Sequence, residues 1–226
     1  MKKIIYIIIM VLLLGCSNNV VSNNSSNTNQ INGIPVKNDI NGTNIEASSV
    51  NTQNIDDYLF RNDVIYVDLR HYSWVMKDGH IAGFSLYPFY ELIATKEGTS
   101  NNGIPTDNRL FKMKNESGML GEVGNFSPNY VESELVLNEL FPKDKYIFAI
   151  SQSGQESRYL LNLLLQYNYD ASKLYNIGGF SIGTGFENKA YINIDNPRYL
   201  VKGNPLIDTS IQNITFDFMR ELTPIE

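Results

Sequence analysis

At 226 residues, 42% hydrophobic and 12% aromatic, the chain carries enough apolar material for a domain-sized core, which excludes global disorder. Its formal net charge of -6, with no block of Lys or Arg to set against it, argues against nucleic acid as a partner and against attraction to an anionic lipid surface. The one cysteine, Cys16, leaves no intramolecular disulfide and no cysteine zinc site, and His71 and His80 are the only histidines. No metal and no cofactor is therefore expected.

The chain opens on Lys2-Lys3, an unbroken apolar run from Ile4 to Leu14, and then Gly15-Cys16. As a helix that run spans about 16 Å, roughly half of a bilayer's hydrocarbon core, so it reads as a cleaved signal over 1–15 and not as a membrane span. Leu13-Leu14-Gly15-Cys16 resembles the bacterial lipoprotein box, with Leu14 bulkier than the residue usual before the glycine. The resemblance implies that Cys16 receives palmitate-type acyl chains and becomes the mature N-terminus, which places the protein on the extracytoplasmic face of a cell membrane or envelope. An ordinary secretory signal with an incidental cysteine is the alternative. Residues 16–53, rich in Asn, Ser, Thr and Gly without a sustained apolar period, read as a flexible tether.

From residue 54 the pattern changes. Asn54-Ile55-Asp56-Asp57-Tyr58-Leu59 has the form of a short capped helix, and Val64-Ile65-Tyr66-Val67-Asp68 is a β-branched run that predicts a buried strand. Gly79-His80-Ile81-Ala82-Gly83 predicts a turn leading into a short strand at Phe84-Ser85-Leu86. Residues 94–128 are weakly patterned and read as a long insertion, which suits a lid, a partner-binding surface or a disordered excursion. Ser127-Pro128 predicts the start of a helix that runs to about Leu140. Tyr146 to Ile150 predicts a central strand, Glu156 to Tyr167 a largely buried Leu-rich helix, and Lys173 to Ile177 a further strand closed by Gly178-Gly179. Residues 191–226 read as an appendage packed on the domain, with an amphipathic stretch near Ile214 to Leu222. Strands alternating with helices predict an α/β fold, a central, mostly parallel sheet with helices on both faces.

The segment Ser151-Gln152-Ser153-Gly154-Gln155-Glu156-Ser157 joins strand to helix through a glycine-containing loop. Such a loop aims backbone N–H groups and a helix N-terminus at one point, which suits a small anion or a thiolate. Together with Asp68-Leu69-Arg70, with Gly79-His80-Ile81-Ala82-Gly83 and with Asn176-Ile177-Gly178-Gly179-Phe180, the loop resembles the corresponding motifs of the rhodanese family, in the family's order and over roughly residues 54–190. In that family the loop begins with a cysteine that attacks a sulfur donor and carries a persulfide. Here Ser151 takes the cysteine's place, and a hydroxyl is a far weaker nucleophile that cannot form the persulfide. Glu156 stands where the loop usually ends in a cation, and Arg158, two residues on, falls on a different face of the helix.

What the resemblance implies is a rhodanese-like pseudoenzyme, a domain that binds a small oxyanion or a partner protein through residues 151–157. Asp68 and Arg70 would brace the loops, His80 would fix its turn, and Gly79, Gly178 and Gly179 would serve the backbone. The alternative is residual sulfurtransferase-type or serine-dependent hydrolase activity at Ser151, for which His71 or His80 would have to act as the base, without a Gly-x-Ser-x-Gly elbow.

Overall fold

The computed structural model describes residues 33–36, 39–41, 47–94, 109–114, 125–180, 200–201 and 222–225, all within one compact unit over 31–226. The leader, Cys16 and most of the 191–226 segment, including its amphipathic stretch up to residue 221, lie outside the described residues.

A four-stranded parallel sheet forms the centre. Its strands are β1 (Val64–Asp68), β3 (Ser85–Leu86), β7 (Tyr146–Ser151) and β8 (Leu174–Gly179), in the order β3-β1-β7-β8. Val64 to Asp68 run in register with Tyr146 to Ile150. The β7–β8 pairing slips between Ala149 and Ile150, so that Ile150 faces Gly178 and Ser151 faces Gly179. These strands are rich in Val, Ile, Tyr and Phe because successive side chains must bury on opposite faces of the sheet. Val67, Leu69, Ile147, Ala149 and Leu174 enter one core, while Val64, Tyr66, Phe148, Ile150, Tyr175 and Ile177 enter the other.

Helices cover the first face. They are α2 (Phe89–Leu92), α3 (Ser133–Leu140) and α4 (Gln155–Gln166), and α4 buries Tyr159, Leu160, Leu161, Leu163 and Leu164. At the end of α4, Asn168 adopts a left-handed backbone with φ 63°. Its N–H donates to the Leu165 carbonyl and that of Tyr169 to the Leu164 carbonyl, both at 3.1 Å. This pairing satisfies the helix's last carbonyls and turns the chain toward β8.

Among the described residues, the expectation of helices on both faces is corrected for the second face, whose cover consists of Ile34 and Val50, the 3-10 helix Ile55–Tyr58, Leu59, Ile81, Phe84 and Phe180. The 16–53 tether is corrected with it, since its described C-terminal part belongs to the folded unit. Ile34, Ile40 and Val50 are buried, the Tyr175 hydroxyl donates to the Pro35 carbonyl at 2.9 Å, and the Thr52 N–H donates to the Ile177 carbonyl at 3.1 Å. Isolated apolar residues in an Asn/Ser-rich stretch give no period, yet Ile34 and Val50 fill places on the second face, where no described α-helix packs, and Ile40 joins the helix-covered core.

The edges of the 94–128 insertion are ordered as strands. β4 (Ile93–Ala94), β5 (Phe111–Lys114) and β6 (Asn125–Pro128) make a small sheet in that order. Ser127 and Pro128 therefore close a strand and do not open the expected helix, and α3 starts only at Ser133. Pro128 is tolerated because β6 is an edge strand, where a missing N–H costs no ladder bond. A seven-residue helix that the sequence does not signal, α1 (Tyr72–Asp78), follows β1. Beyond it β2 (His80–Ile81) pairs antiparallel with β9 (Leu200–Val201). Thr223 to Ile225 lie against Asn129 to Val131. No helix among the described residues is long and apolar enough to cross a membrane.

Candidate functional site

The strand order places a reversal at the centre of the sheet. β1 leads outward to β3, whereas β7 leads through α4 to β8 on the other side. In open parallel sheets the crevice beyond the C-terminal ends of two such strands is where ligands bind. Leu69-Arg70 leave β1 at that point, and Ser151 to Gly154 leave β7. The Leu69 N–H still donates to the Ile150 carbonyl at 2.8 Å, which ties the two exits together.

The loop is locked by its own chain. Ser151 is fully buried, and its Oγ accepts the Gly154 N–H at 2.9 Å. Gly154, with φ 84°, supplies the left-handed residue that lets β7 turn into α4. The Asn176 side chain in β8 holds the loop from below. Its Nδ2 donates to the Gly154 carbonyl at 3.0 Å, while its Oδ1 accepts the Gly178 N–H at 3.1 Å. The Phe180 N–H donates to the Ser151 carbonyl at 2.8 Å. Gly179 lies so close beneath that a Cβ there would come within 3.0 Å of the Ser153 backbone. Gly179 thus serves close backbone approach, while Gly178 supplies a positive φ of 114°. The bridging role of Asn176 is one that sequence reasoning missed, although a polar residue in an otherwise apolar strand was its signal.

Asp68 and Arg70 are both buried and pair through three bonds from the guanidinium, of which Nη2 to Oδ2 is the shortest at 2.6 Å. Nη2 also donates to the Gly79 carbonyl at 2.7 Å, which fixes the start of the Gly79-His80 turn. The guanidinium carbon stands 3.5 Å from the centroid of the Phe180 ring. Arg70 therefore braces two loops at once, and its Nη1 is buried without a hydrogen-bond partner among the described residues.

The carboxylate of Glu156, in the first turn of α4, lies beside Tyr90 of α2. Burial, followed by the negative charge of Glu156 and then by Tyr159, pushes the Tyr90 phenol up to about 12. Glu156 Oε2, Gln152 Oε1 and Ser157 Oγ are buried and without a hydrogen-bond partner among the described residues. Arg158 turns away, and its Nε reaches Asn41 Oδ1 at 3.3 Å, an oxygen that Asn162 also contacts. Gln155 reaches the Tyr159 hydroxyl at 2.7 Å.

Neither histidine is the hydrogen-bond partner of Ser151 Oγ. His71 Nδ1 caps α1, accepting from the Ser73 N–H and lying 2.7 Å from its Oγ, and His80 is buried in β2. Tyr72 and Trp74 are exposed on α1, while Phe84 packs against Tyr66. The site thus brings together residues 151–157, Arg70, Asn176 and the Gly-Gly pair, with Tyr90 and Phe180 as further members. It leaves His71 to the cap of α1. Comparisons of the chain with protein-family models, with curated proteins and with solved structures give no match.

Proposed function

We propose that this chain is a membrane-tethered, extracytoplasmic lipoprotein anchored through Cys16, whose rhodanese-like domain is not catalytic and binds a small oxyanion or a partner protein at the loop 151–157. The observation that carries the reading is the state of Ser151. Its side chain is fully buried, and its Oγ accepts an N–H of its own loop. A nucleophile needs an exposed lone pair and a base within hydrogen-bond reach, and the hydroxyl here is committed to holding the turn. Glu156 supports the non-catalytic part of the reading, since its carboxylate opposes an anionic sulfur donor, and the same charge favours a partner protein over a bare oxyanion.

The test is to incubate the purified protein with thiosulfate and cyanide. Thiocyanate formation should not exceed that of Ser151→Ala; a clear excess would overturn the reading. Ser151→Cys alone should recover little activity, and Ser151→Cys with Glu156→Arg should recover more. Acyl-chain label should appear on the wild type and be lost in Cys16→Ser.

A further inference from the structure

The helix that leaves the C-terminal end of β1 has a titratable cap. Of the seven residues of α1 only Val75 is buried, and a helix so short is marginal without extensive packing. Its far end is secured, because the Gly79 N–H donates to the Val75 carbonyl at 2.8 Å and the Gly79 carbonyl is held by Arg70. Its near end rests on His71. The ring's Nδ1 accepts the Ser73 N–H at 3.3 Å and lies 2.7 Å from the Ser73 hydroxyl, and the His71 carbonyl accepts the Trp74 N–H at 3.0 Å.

Nδ1 can accept only while the imidazole is neutral. When the ring takes up a proton, the Ser73 hydroxyl can turn and accept from it, but the Ser73 N–H loses its acceptor. A cation then stands at the positive end of the helix, and the first turn holds no acidic residue to offset it. The ring lies against Tyr72, with centroids 4.1 Å apart. Of the charged groups near it in the chain, Arg70 is engaged by Asp68, and Lys77 and Asp78 belong to the far end of α1. Among the described residues no carboxylate pairs with the imidazole. We infer that α1 is a pH-sensitive element, capped by neutral His71 and released at its first turn in mild acid. Tyr72 and Trp74, which it presents exposed beside the exit of β1, lose their fixed placement with it. The inference goes beyond the ligand reading above and does not depend on it.

Amide hydrogen exchange with water, read by NMR on the purified protein and corrected for intrinsic rate, tests the switch at about pH 7.5 and about pH 5, either side of the ordinary imidazole value of about 6.5. In the wild type the Ser73 and Trp74 amides should be about tenfold less protected at the lower pH, the size of a lost cap combined with a cation at a helix N-terminus. Ile147 and Ile150 of β7 should keep their protection. His71→Asn supplies a cap that does not titrate and should give the same protection of Ser73 and Trp74 at both pH values. His71→Ala should show the low protection at both. The chain's other histidine, His80, is retained in these variants, so a drop of equal size in His71→Asn would assign the effect elsewhere and overturn the inference. Equal protection of the wild type at the two pH values, or a loss shared by the β7 amides, would overturn it as well.

Discussion

Substituting Gly179 by alanine tests whether the loop is held by contact from beneath. A Cβ at this position meets the Ser153 carbonyl carbon and Cα at 3.0 Å and the Gln152 carbonyl oxygen at 3.2 Å. All three are backbone atoms, so no rotamer change relieves the overlap. The loop cannot simply rise, because the Gly154 carbonyl is tied to Asn176 and its N–H to Ser151. Overpacking of this kind costs roughly 1–3 kcal/mol, and for a domain of this size each kcal/mol moves the melting temperature by about 2–4 °C. Urea unfolding followed by tyrosine fluorescence should therefore show a lower midpoint at unchanged slope. Gly83→Ala is a useful contrast. It is strained by its φ of 86°, but its nearest neighbours are ring atoms of the half-exposed Phe60, which can swing away. A Gly179→Ala variant within about 0.5 kcal/mol of wild type, the range of ordinary surface changes, would refute the claim that the loop is seated rigidly on the glycine.

Three further outcomes are expected. Asp68→Ala strands the Arg70 charge in a buried site and should cost about 3–5 kcal/mol, with part of the loss restored in Asp68→Ala/Arg70→Met; equal stability of the two variants would sink the argument. Ser151→Ala leaves the Gly154 N–H without its acceptor and should cost about 1–3 kcal/mol by urea unfolding, a penalty that would be missing if the loop relaxes. Glu132 accepts both the N–H and the hydroxyl of Thr223 at 2.8 Å, and these bonds, the N–H first, hold its carboxyl below the ordinary carboxylate value. A lowered folded-state pKa means that the contribution is present above the unfolded value, about 4.3, and is lost as pH falls through the folded one. Protection of the Thr223 amide from hydrogen exchange, corrected for intrinsic rate, should thus be greater near neutral pH than in acid, and pH-independent protection would contradict this.

The parts of the fold that the sequence makes legible are those in which a local pattern and a tertiary need coincide. β7, its loop and α4 combine a run of β-branched and aromatic residues, one glycine and a leucine-rich helix, and the structure places them within a residue or so of the expected bounds. Where tertiary packing decides alone, the sequence is silent. Ile34 and Val50 are buried on a face where no described α-helix packs, and Ile40 in the helix-covered core, contacts that no local window displays. Ser127-Pro128 carries a helix-start pattern, yet it is drawn into an edge strand by pairing with Phe111 and Lys112. α1 was hidden because histidine, a rare cap, begins it. At the site, the loop is legible as a strand, a glycine and a helix start, and the Asp68–Arg70 pair through the resemblance of its motif. The neighbours that give the loop its chemistry, Tyr90 from α2, Asn176 from β8 and the ring of Phe180, come from distant segments and take their meaning only from the fold.

The stretch that closes the second sheet face also sets an order of events. Pro35 meets Tyr175 across a sequence separation of 140 residues, and Thr52 meets Ile177, so this face cannot be completed until β8 has been made. Contacts of such long range slow folding, because the loop they close must be ordered before they contribute. The chain therefore emerges with Ile34 and Val50 waiting for β8, and during that interval both stay exposed to water.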